Sequence, residues 1–254
     1  MIRLVKKVFV FLLLFVLGCQ LNAQMVIPVG DNCAGDDIIP VNTFYNYSYS
    51  QSLFSSDELV AGEITSISYK YNDNVTVSIS SQIYLGEVNK EMFPNNSDFV
   101  SANDLTQVYS GNVVLNNGWV TITFDTPFEY SGENNLVVAY LNNIASITEG
   151  PKLFNACSLV GNKTITCFRS NEPISIETPE SVNQAMRMVL NSRPSVKFEI
   201  YPFDASCNPP TEITIQQITE NSASFEWTAV EGVGEYKATY KKLNEVIWND
   251  TITV

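Results

Sequence analysis

The sequence predicts an all-β protein built around an antiparallel, jelly-roll-like β-sandwich. Three observations support this fold class. Apolar and polar residues alternate with period two in at least eight segments, as in half-buried strands. These segments recur at intervals of about ten residues and are bounded by Asn, Gly, Asp and Ser, which is typical of sandwiches and barrels. Helical periodicity is scarce, and even the best helical candidate, residues 181–190, alternates well enough to be a strand.

Residues 1–24 are predicted to be a signal peptide and are left out of the fold. A basic start, MIRLVKK, precedes the apolar run VFVFLLLFVLG, which is too short to span a bilayer comfortably. The segment LNAQ suits ordinary cleavage before Gln24, whereas VLGC suits a lipoprotein signal in which Cys19 is acylated. Either alternative predicts a protein exported from a bacterial cell, secreted or held at its surface, with no transmembrane span once the signal is removed.

The strands of the first domain are expected between residues 25 and 204. The first is the stretch FYNYSYSQSL, in which Tyr45, Tyr47 and Tyr49 would line one face, packed inward, while the Asn and Ser face meets water. The other strands are predicted at 62–71, 74–87, 106–115, 118–130, 135–144, 163–170, 185–190 and 196–202. Because isolated hairpins are unstable, we expect these strands to pack as two sheets.

The cysteines also fit export, because an even number in an oxidising compartment suggests disulfide bonds. Four cysteines remain if Cys19 is removed with the signal, namely Cys33, Cys157, Cys167 and Cys207. We expect Cys157 to pair with Cys167 across a hairpin that turns at Gly161 and Asn162. Cys33 would then pair with Cys207 and close the domain near both its ends. Free buried thiols are the alternative.

Composition and charge exclude several classes of function. The formal net charge is −13 and no basic stripe follows the leader, so nucleic acid is a poor partner. The chain contains no histidine, which excludes Ser-His and Cys-His catalytic pairs and every His-ligated zinc site. No glycine-rich phosphate loop follows a strand, and we expect no cofactor.

Carboxylates leave one catalytic alternative, a glycosidase, which needs two acids placed across a sugar bond. The candidate acids are Asp57, Glu58, Glu87, Glu91 and Asp125. Since most charged side chains simply face water, we expect a protein without catalytic residues. The loop GDNCAGDD offers Asp31, Asp36 and Asp37 as candidate calcium ligands, although an acidic surface turn is the favoured interpretation.

Exposed aromatic rings are the remaining candidates for ligand binding, because the apolar face of a sugar can stack on a Tyr or Trp ring. Tyr45, Tyr47 and Tyr49 form one candidate set, although tyrosines at strand period more often pack inward. Trp119 is the other candidate. It shares a strand face with two threonines, whereas Val, Ile and Phe occupy the opposite face. The face that carries Trp119 is therefore a candidate for the solvent-exposed side of the strand.

A second domain is expected over residues 205–254, because Pro209 and Pro210 indicate an extended linker. The strand pattern then restarts with TEITIQQIT, SASFEWTAVEG and YKATYKK. With Trp227 and Tyr236, these segments resemble an immunoglobulin-like fibronectin type III domain. The resemblance implies that both rings fill the core between two sheets. About fifty residues are too few for the seven strands of such a domain, so a partial domain is expected.

The segments of residues 25–204 are together similar to a β-sandwich module of exported surface proteins from gut and oral Gram-negative anaerobes. They are YNYSYSQSLFSSDEL, GEITSISYKY, IYLGEVNKEMF, LTQVYSG, GWVTITFDTPFEYSGENNLVVAY and NSRPSVKFEI. The resemblance implies an accessory role at the cell surface or in secreted form, in adhesion or glycan attachment, with no particular ligand. We expect a non-catalytic protein that binds a glycan or a host or matrix protein. A structural spacer that carries a partner domain is the alternative, and an accessory subunit of a glycosidase or protease is less favoured.

Overall fold

The chain divides into two compact units, Asn22–Ala205 and a unit that includes residues 206–254. The structure is a computed structural model. It describes residues 24–143, 150, 152–203, 211–218, 223–228, 237–238 and 252–253. The expected signal peptide, including Cys19, therefore lies outside the described residues except for its last position.

Among its described residues, the first unit consists of strands joined by loops and single turns of 3-10 helix. The strands are β1 (Met25–Val29), β2 (Gly35–Asp37), β3 (Tyr47–Phe54), β4 (Gly62–Tyr71), β5 (Val77–Val88), β6 (Thr106–Leu115), β7 (Gly118–Tyr130), β8 (Asn135–Asn143), β9 (Phe154–Ser158), β10 (Thr164–Arg169), β11 (Arg187–Leu190), β12 (Ser192–Pro194) and β13 (Val196–Pro202). The 3-10 turns are Ser56–Glu58, Ala102–Asp104, Pro179–Ser181 and Gln184–Met186. No helix in this part of the chain is long and apolar enough to cross a membrane.

The strands form two antiparallel sheets packed face to face, so the predicted β-sandwich is confirmed. The first, here called sheet A, has the order β1-β13-β4-β9-β12, with β7 also paired to β4 and β2 to β9. The second, sheet B, has the order β11-β10-β3-β8-β5-β6. The strands predicted at 62–71, 106–115, 118–130 and 196–202 coincide with β4, β6, β7 and β13.

The main apolar core lies between the two sheets and takes alternate residues from each strand. From sheet B it receives, among others, Ile79, Ile83, Leu85, Leu136, Val138 and Tyr140. From sheet A it receives Ile64, Ile67, Tyr69, Ile122, Phe124 and Phe198. A bulge leaves Thr65 unpaired and shifts the alternation of β4, which is why Ile64 and Ile67 both point inward.

Sheet B is covered on its outer face as well. Two long connections, residues 89–105 and 170–186, supply apolar side chains that pack against outward residues of β3, β8 and β10. These contacts form two clusters, whose members include Tyr49, Leu141, Cys167, Ile174 and Val182 in one and Leu53, Phe93, Val100, Val137 and Ile165 in the other. Strand β3 is therefore buried on both sides.

This covering corrects one expectation about β3. The serine face was expected to meet water, but Ser48, Ser50 and Ser52 are buried between the sheets. Their hydroxyls are satisfied there: Ser50 Oγ donates to the Pro40 carbonyl at 2.7 Å, and Ser52 Oγ lies 3.0 Å from Thr164 Oγ1. The tyrosine side instead lies beneath the long connections, which period-two alternation within β3 does not reveal.

The disulfide pairing is also corrected. Cys33 is bonded to Cys157, so the expected Cys157–Cys167 and Cys33–Cys207 pairs are wrong. Cys157 lies on β9 in sheet A and Cys167 on β10 in sheet B, because residues 159–163 cross between the sheets instead of closing a hairpin. Cys167 is buried and free, and Cys207 lies outside the described residues.

Of the second unit, the structure describes two antiparallel strand pairs. Strand β14 (Thr211–Ile218) pairs with β15 (Ala223–Thr228), and β16 (Lys237–Ala238) pairs with β17 (Ile252–Thr253). Trp227 belongs to β15, whereas Tyr236 lies outside the described residues. The partial fibronectin type III domain and its two core rings stay a prediction.

Candidate functional site

The three candidate tyrosines do not form one exposed platform. Tyr49 is 0% exposed beneath the connections that cover sheet B, and Gln51 Nε2 donates to its hydroxyl at 2.8 Å. Burial raises its pKa well above the ordinary value. Tyr45 precedes β3 and packs against Phe168 with ring centroids 4.5 Å apart, and Tyr47 is half-buried. Tyr49 therefore serves the apolar packing and is out of reach of a ligand.

The thiol of Cys167 lies in the same buried layer. Burial raises the pKa of this thiol from 9.0 to about 12, although the nearby charges of Arg169 and Arg187 lower it. Because the thiolate is the nucleophilic form, the group is chemically inert in the folded protein at neutral pH.

We expect iodoacetamide at about pH 8 to leave Cys167 unmodified in the native protein and to modify it after unfolding in guanidinium. The reason is that on the order of one thiol in ten thousand is ionised four pH units below its pKa. Peptide mass mapping would locate the label. The variant Val160→Cys is the matched control, since residue 160 is 96% exposed and its thiol should react at once. Rapid native labelling of Cys167 would contradict its burial.

The candidate calcium ligands do not converge. Asp31 is exposed, the Asp36 carboxylate accepts a hydrogen bond from Asn72 Nδ2, and Asp37 accepts one from Ser192 Oγ. Within the described part of the chain, no three acidic or cysteine side chains are grouped so as to hold a metal ion. Asp36 and Asp37 act as hydrogen-bond acceptors that tie β2 to Asn72, just after β4, and to Ser192 of β12.

Three of the five candidate catalytic acids accept hydrogen bonds from neighbouring groups. Glu58 pairs with Arg193 through both oxygens, and both oxygens of Glu87 accept hydrogen bonds from Ser131. Asp125 accepts a hydrogen bond from the Ser110 amide, while Asp57 and Glu91 are exposed. A shallow groove of about 400 Å³ lies at the end of β5 and contains Glu87 and Asp104. Glu87 is already engaged there with Ser131.

Trp119 lies on the outer face of sheet A, as its strand pattern predicts. Its neighbours Val120 and Ile122 contribute to the core between the sheets, so Trp119 and Thr121 point the other way. Thr121 is exposed to water and Trp119 is half-buried. In the pairing of β7 with β4, Trp119 lies beside Lys70, and Thr121 lies beside Ser68.

Two lysines flank the indole ring. Lys70 is the direct cross-strand neighbour of Trp119, and Lys197 reaches the ring from β13 on the far side of β4. The ammonium of Lys197 lies 4.2 Å from the ring centroid, which is a cation–π contact. Between them, the hydroxyls of Ser68 and Thr121 lie 2.8 Å apart. We call Trp119, Lys70, Lys197, Ser68 and Thr121 the Trp119 face.

Sequence reasoning found the ring of this face but missed its lysines. Trp119 could be placed from the alternation within its own strand. Lys70 and Lys197 lie on two other strands, and only the register of β13, β4 and β7 brings them to the ring. Alternation assigns each lysine to the outward side of its strand, but it does not say which strands are neighbours.

Comparisons with known proteins leave the chain without an assigned family. No family model and no curated protein matches it. One similar solved structure is that of the cysteine protease and lectin-like domains of Cwp84, a surface layer associated protein of Clostridium difficile. That match is 12% identical, covers 62% of this chain and 32% of that chain, and has a TM-score of 0.36. This chain thus spans about a third of the other, and the likeness assigns neither family nor function.

Proposed function

We propose that the chain is an exported, non-catalytic surface protein that binds a glycan through the Trp119 face. The observation that carries the proposal is the position of Trp119, half-exposed among hydroxyl groups on the outer side of sheet A. The outer side of sheet B is covered by long connections, whereas this part of sheet A presents exposed threonines to water. A flat surface with an aromatic ring and hydrogen-bonding groups suits an extended sugar chain.

Two further observations support the proposal. The Cys33–Cys157 disulfide is the kind of bond that forms and persists in an oxidising compartment outside the cytosol. Among the acids that a glycosidase would need, Glu58 and Glu87 are engaged with Arg193 and Ser131. The first observation supports export, and the second argues against Glu58 and Glu87 as a catalytic pair.

The test is retention of the full chain on an array of polysaccharides and matrix proteins, with Trp119→Ala as the diagnostic variant. We expect a glycan to retain the wild type, and the variant to lose at least about tenfold in affinity, because a buried aromatic anchor dominates binding energy. Phe44→Ala is the matched control, since it removes a ring that is 44% exposed away from this face. Circular dichroism would show that both variants stay folded.

Two results would count against the proposal. If no glycan retains the wild-type chain, the protein is better described as a spacer that holds a partner away from the cell. If Phe44→Ala abolishes binding and Trp119→Ala does not, the ligand binds elsewhere, beside the Phe44 and Tyr45 rings, which meet edge to face at 5.3 Å.

A further inference from the structure

We infer that the glycan bound by the Trp119 face is anionic, a polysaccharide that carries uronate carboxylates or sulfate esters, and that Lys70 and Lys197 pair with its charges. This inference rests on the proposed function and specifies the class of ligand for the same surface. It follows from three features of the structure: the pairing of the protein's cations, the contact of Lys197 with the ring, and the spacing of the two lysines.

The first feature is that Lys70 and Lys197 have no anionic partner among the described residues of a strongly acidic chain. The formal net charge is −13. Elsewhere in the described part of the chain, four cations form ion pairs with carboxylates: Lys90–Asp98, Lys152–Asp73, Arg169–Glu172 and Arg193–Glu58. Lys163 and Arg187 instead donate hydrogen bonds to the Glu91 carbonyl and the Ser97 hydroxyl. Neither Lys70 nor Lys197 forms an ion pair within the described residues. The Glu199 carboxylate, on the same face two residues from Lys197, accepts a hydrogen bond from Gln24 Nε2 at 2.8 Å.

Acidic side chains outnumber basic ones by 27 to 14. In a chain of this composition, a lysine is expected to lie near a carboxylate, and two neighbouring lysines without an ion pair among the described residues are unexpected. They form a local positive site on a negative protein. Such a site attracts an anion at short range, while the acidic remainder of the surface disfavours anions that bind anywhere else.

The second feature is that the Lys197 ammonium lies over the Trp119 ring, on which a sugar would stack. The ammonium lies 4.2 Å from the Trp119 centroid, a cation–π contact that stabilises this position of the lysine. A neutral sugar must displace this ammonium in order to stack, and it offers no charge in return. A sugar with a carboxylate or sulfate can stack on the ring while its anion pairs with the displaced ammonium.

The third feature is the arrangement of the two lysines around the ring. Lys197 faces Ser68 across the β13–β4 pair, and Lys70 lies two residues further along β4 beside Trp119. Diagonal positions on adjacent strands are about 7–8 Å apart, within reach of long side chains. The two ammonium groups can therefore contact anions on the same stretch of ligand, while the exposed hydroxyl of Thr121, which also contacts the buried Ser68 hydroxyl, can bond to a sugar hydroxyl.

An acidic polysaccharide fits this face better than an acidic peptide. A peptide would supply carboxylates, but the Trp119 ring and its neighbouring hydroxyl group would add little to its binding energy. A sugar ring has an apolar face for the indole and hydroxyl groups for the exposed Thr121. The ring and the lysines should therefore both contribute to binding, which separates this ligand from one held by charge alone.

The experiment measures binding of the full chain to polygalacturonate and chondroitin sulfate, with dextran as a neutral polysaccharide and polyglutamate as an acidic peptide. We expect the acidic polysaccharides to bind most tightly and to weaken as salt rises from about 50 mM to about 500 mM. The double variant K70Q/K197Q should lose at least about tenfold in affinity. The matched control is K90Q/K163Q, which removes two charges away from this face and should bind as the wild type does.

The single variant Lys197→Ala gives a result that mere surface charge would not produce. It uncovers the indole, so dextran binding should rise while polygalacturonate binding falls. The inference is overturned if the wild type prefers dextran and Trp119→Ala abolishes that binding, in which case the proposed glycan function stands with a neutral ligand. It is also overturned if polyglutamate binds as tightly as polygalacturonate and Trp119→Ala changes neither. If no polysaccharide binds, the proposed function fails together with the inference.

Discussion

Replacing Cys33 and Cys157 together by serine should lower the free energy of unfolding of the first unit by about 2–5 kcal/mol. The bond joins residues 124 positions apart, linking the loop after β1 to β9. A cross-link over a loop of this length lowers the conformational entropy of the unfolded chain. By the chain-entropy model, this stabilises the folded state by about 5 kcal/mol. The effect is large because folding leaves only about 5–15 kcal/mol of net stability in a typical protein.

The folded structure around the bond should change little in this variant. Asn155 Nδ2 donates to the carbonyl oxygens of Cys33 and Gly35 at 2.8 and 3.1 Å, so the loop is held to β9 without the bond. Ser195 Oγ donates to the Gly30 carbonyl at 2.6 Å. Gly30 has φ +77, and a Cβ on it would come within 2.4 Å of Cys157 Sγ, so the loop is built for close approach. The loss of stability should therefore arise mainly in the unfolded state.

Alkylation of Cys167 in increasing urea measures this effect within the first unit, because that thiol is buried only while the unit is folded. The midpoint should fall in C33S/C157S and fall equally in the wild type treated with dithiothreitol. Adding dithiothreitol to C33S/C157S should change nothing further. If the double variant keeps the wild-type midpoint, the bond does not stabilise the unit.

The sequence predicted the sandwich well because its strands are long and their alternation is regular. Strands β4, β6, β7 and β13 begin and end where the pattern predicts. Short strands with few alternating residues, such as β2 and β12, carry too little pattern to be found. The wrong cysteine pairs have a related cause. The pattern around Cys157 and Cys167 was taken as a hairpin, but it does not show that β9 and β10 belong to different sheets.

Burial was harder to predict than strand position. Tyr49 is buried, but beneath the connections outside sheet B and not between the sheets, where the serines of β3 lie instead. A half-buried strand and a strand covered by loops on its second face have the same alternation, and only the tertiary path of residues 89–105 and 170–186 distinguishes them. In the Trp119 face, the position of the ring can be predicted from the alternation within its own strand. The positions of the two lysines beside it depend on the register between strands, which the sequence does not reveal.

Replacing Arg193 by alanine is the second change for which we expect a large effect, a loss of about 3–5 kcal/mol in the free energy of unfolding. Arg193 is 3% exposed, and its guanidinium lies 4.4 Å from the Phe54 ring centroid. It donates to the Leu53 carbonyl at 2.9 Å and to both oxygens of Glu58 at 2.7 Å. The alanine variant loses all of these contacts at once and opens a cavity at the edge of the main core.

Glu58→Gln should cost much less, about 1 kcal/mol, because an amide oxygen still accepts from the guanidinium. Arg193→Met is the matched control for volume, since it keeps an apolar stem against Phe54 but leaves the Leu53 carbonyl without its donor. We therefore expect urea midpoints to fall in the order wild type, E58Q, R193M, R193A. Equal midpoints for R193M and R193A would contradict a packing role for the arginine stem, and an unchanged midpoint in R193A would contradict the whole assignment.

The pH dependence of stability gives an independent test of the same contact. Burial alone would raise the pKa of Glu58, but the hydrogen bond and charge of Arg193 and the Ser55 amide outweigh it, so the pKa lies below its ordinary value of 4.5. A carboxyl with a lowered folded-state pKa stabilises the protein above its unfolded-state pKa, and this contribution is lost as the pH falls through the folded-state value. The difference in free energy of unfolding between the wild type and E58Q should thus shrink as the pH drops below 4.5. If the difference between wild type and E58Q is the same at neutral pH and in acid, Glu58 does not bind Arg193 as a carboxylate. The loss in R193A must then come from the packing on Phe54 and the hydrogen bond to the Leu53 carbonyl.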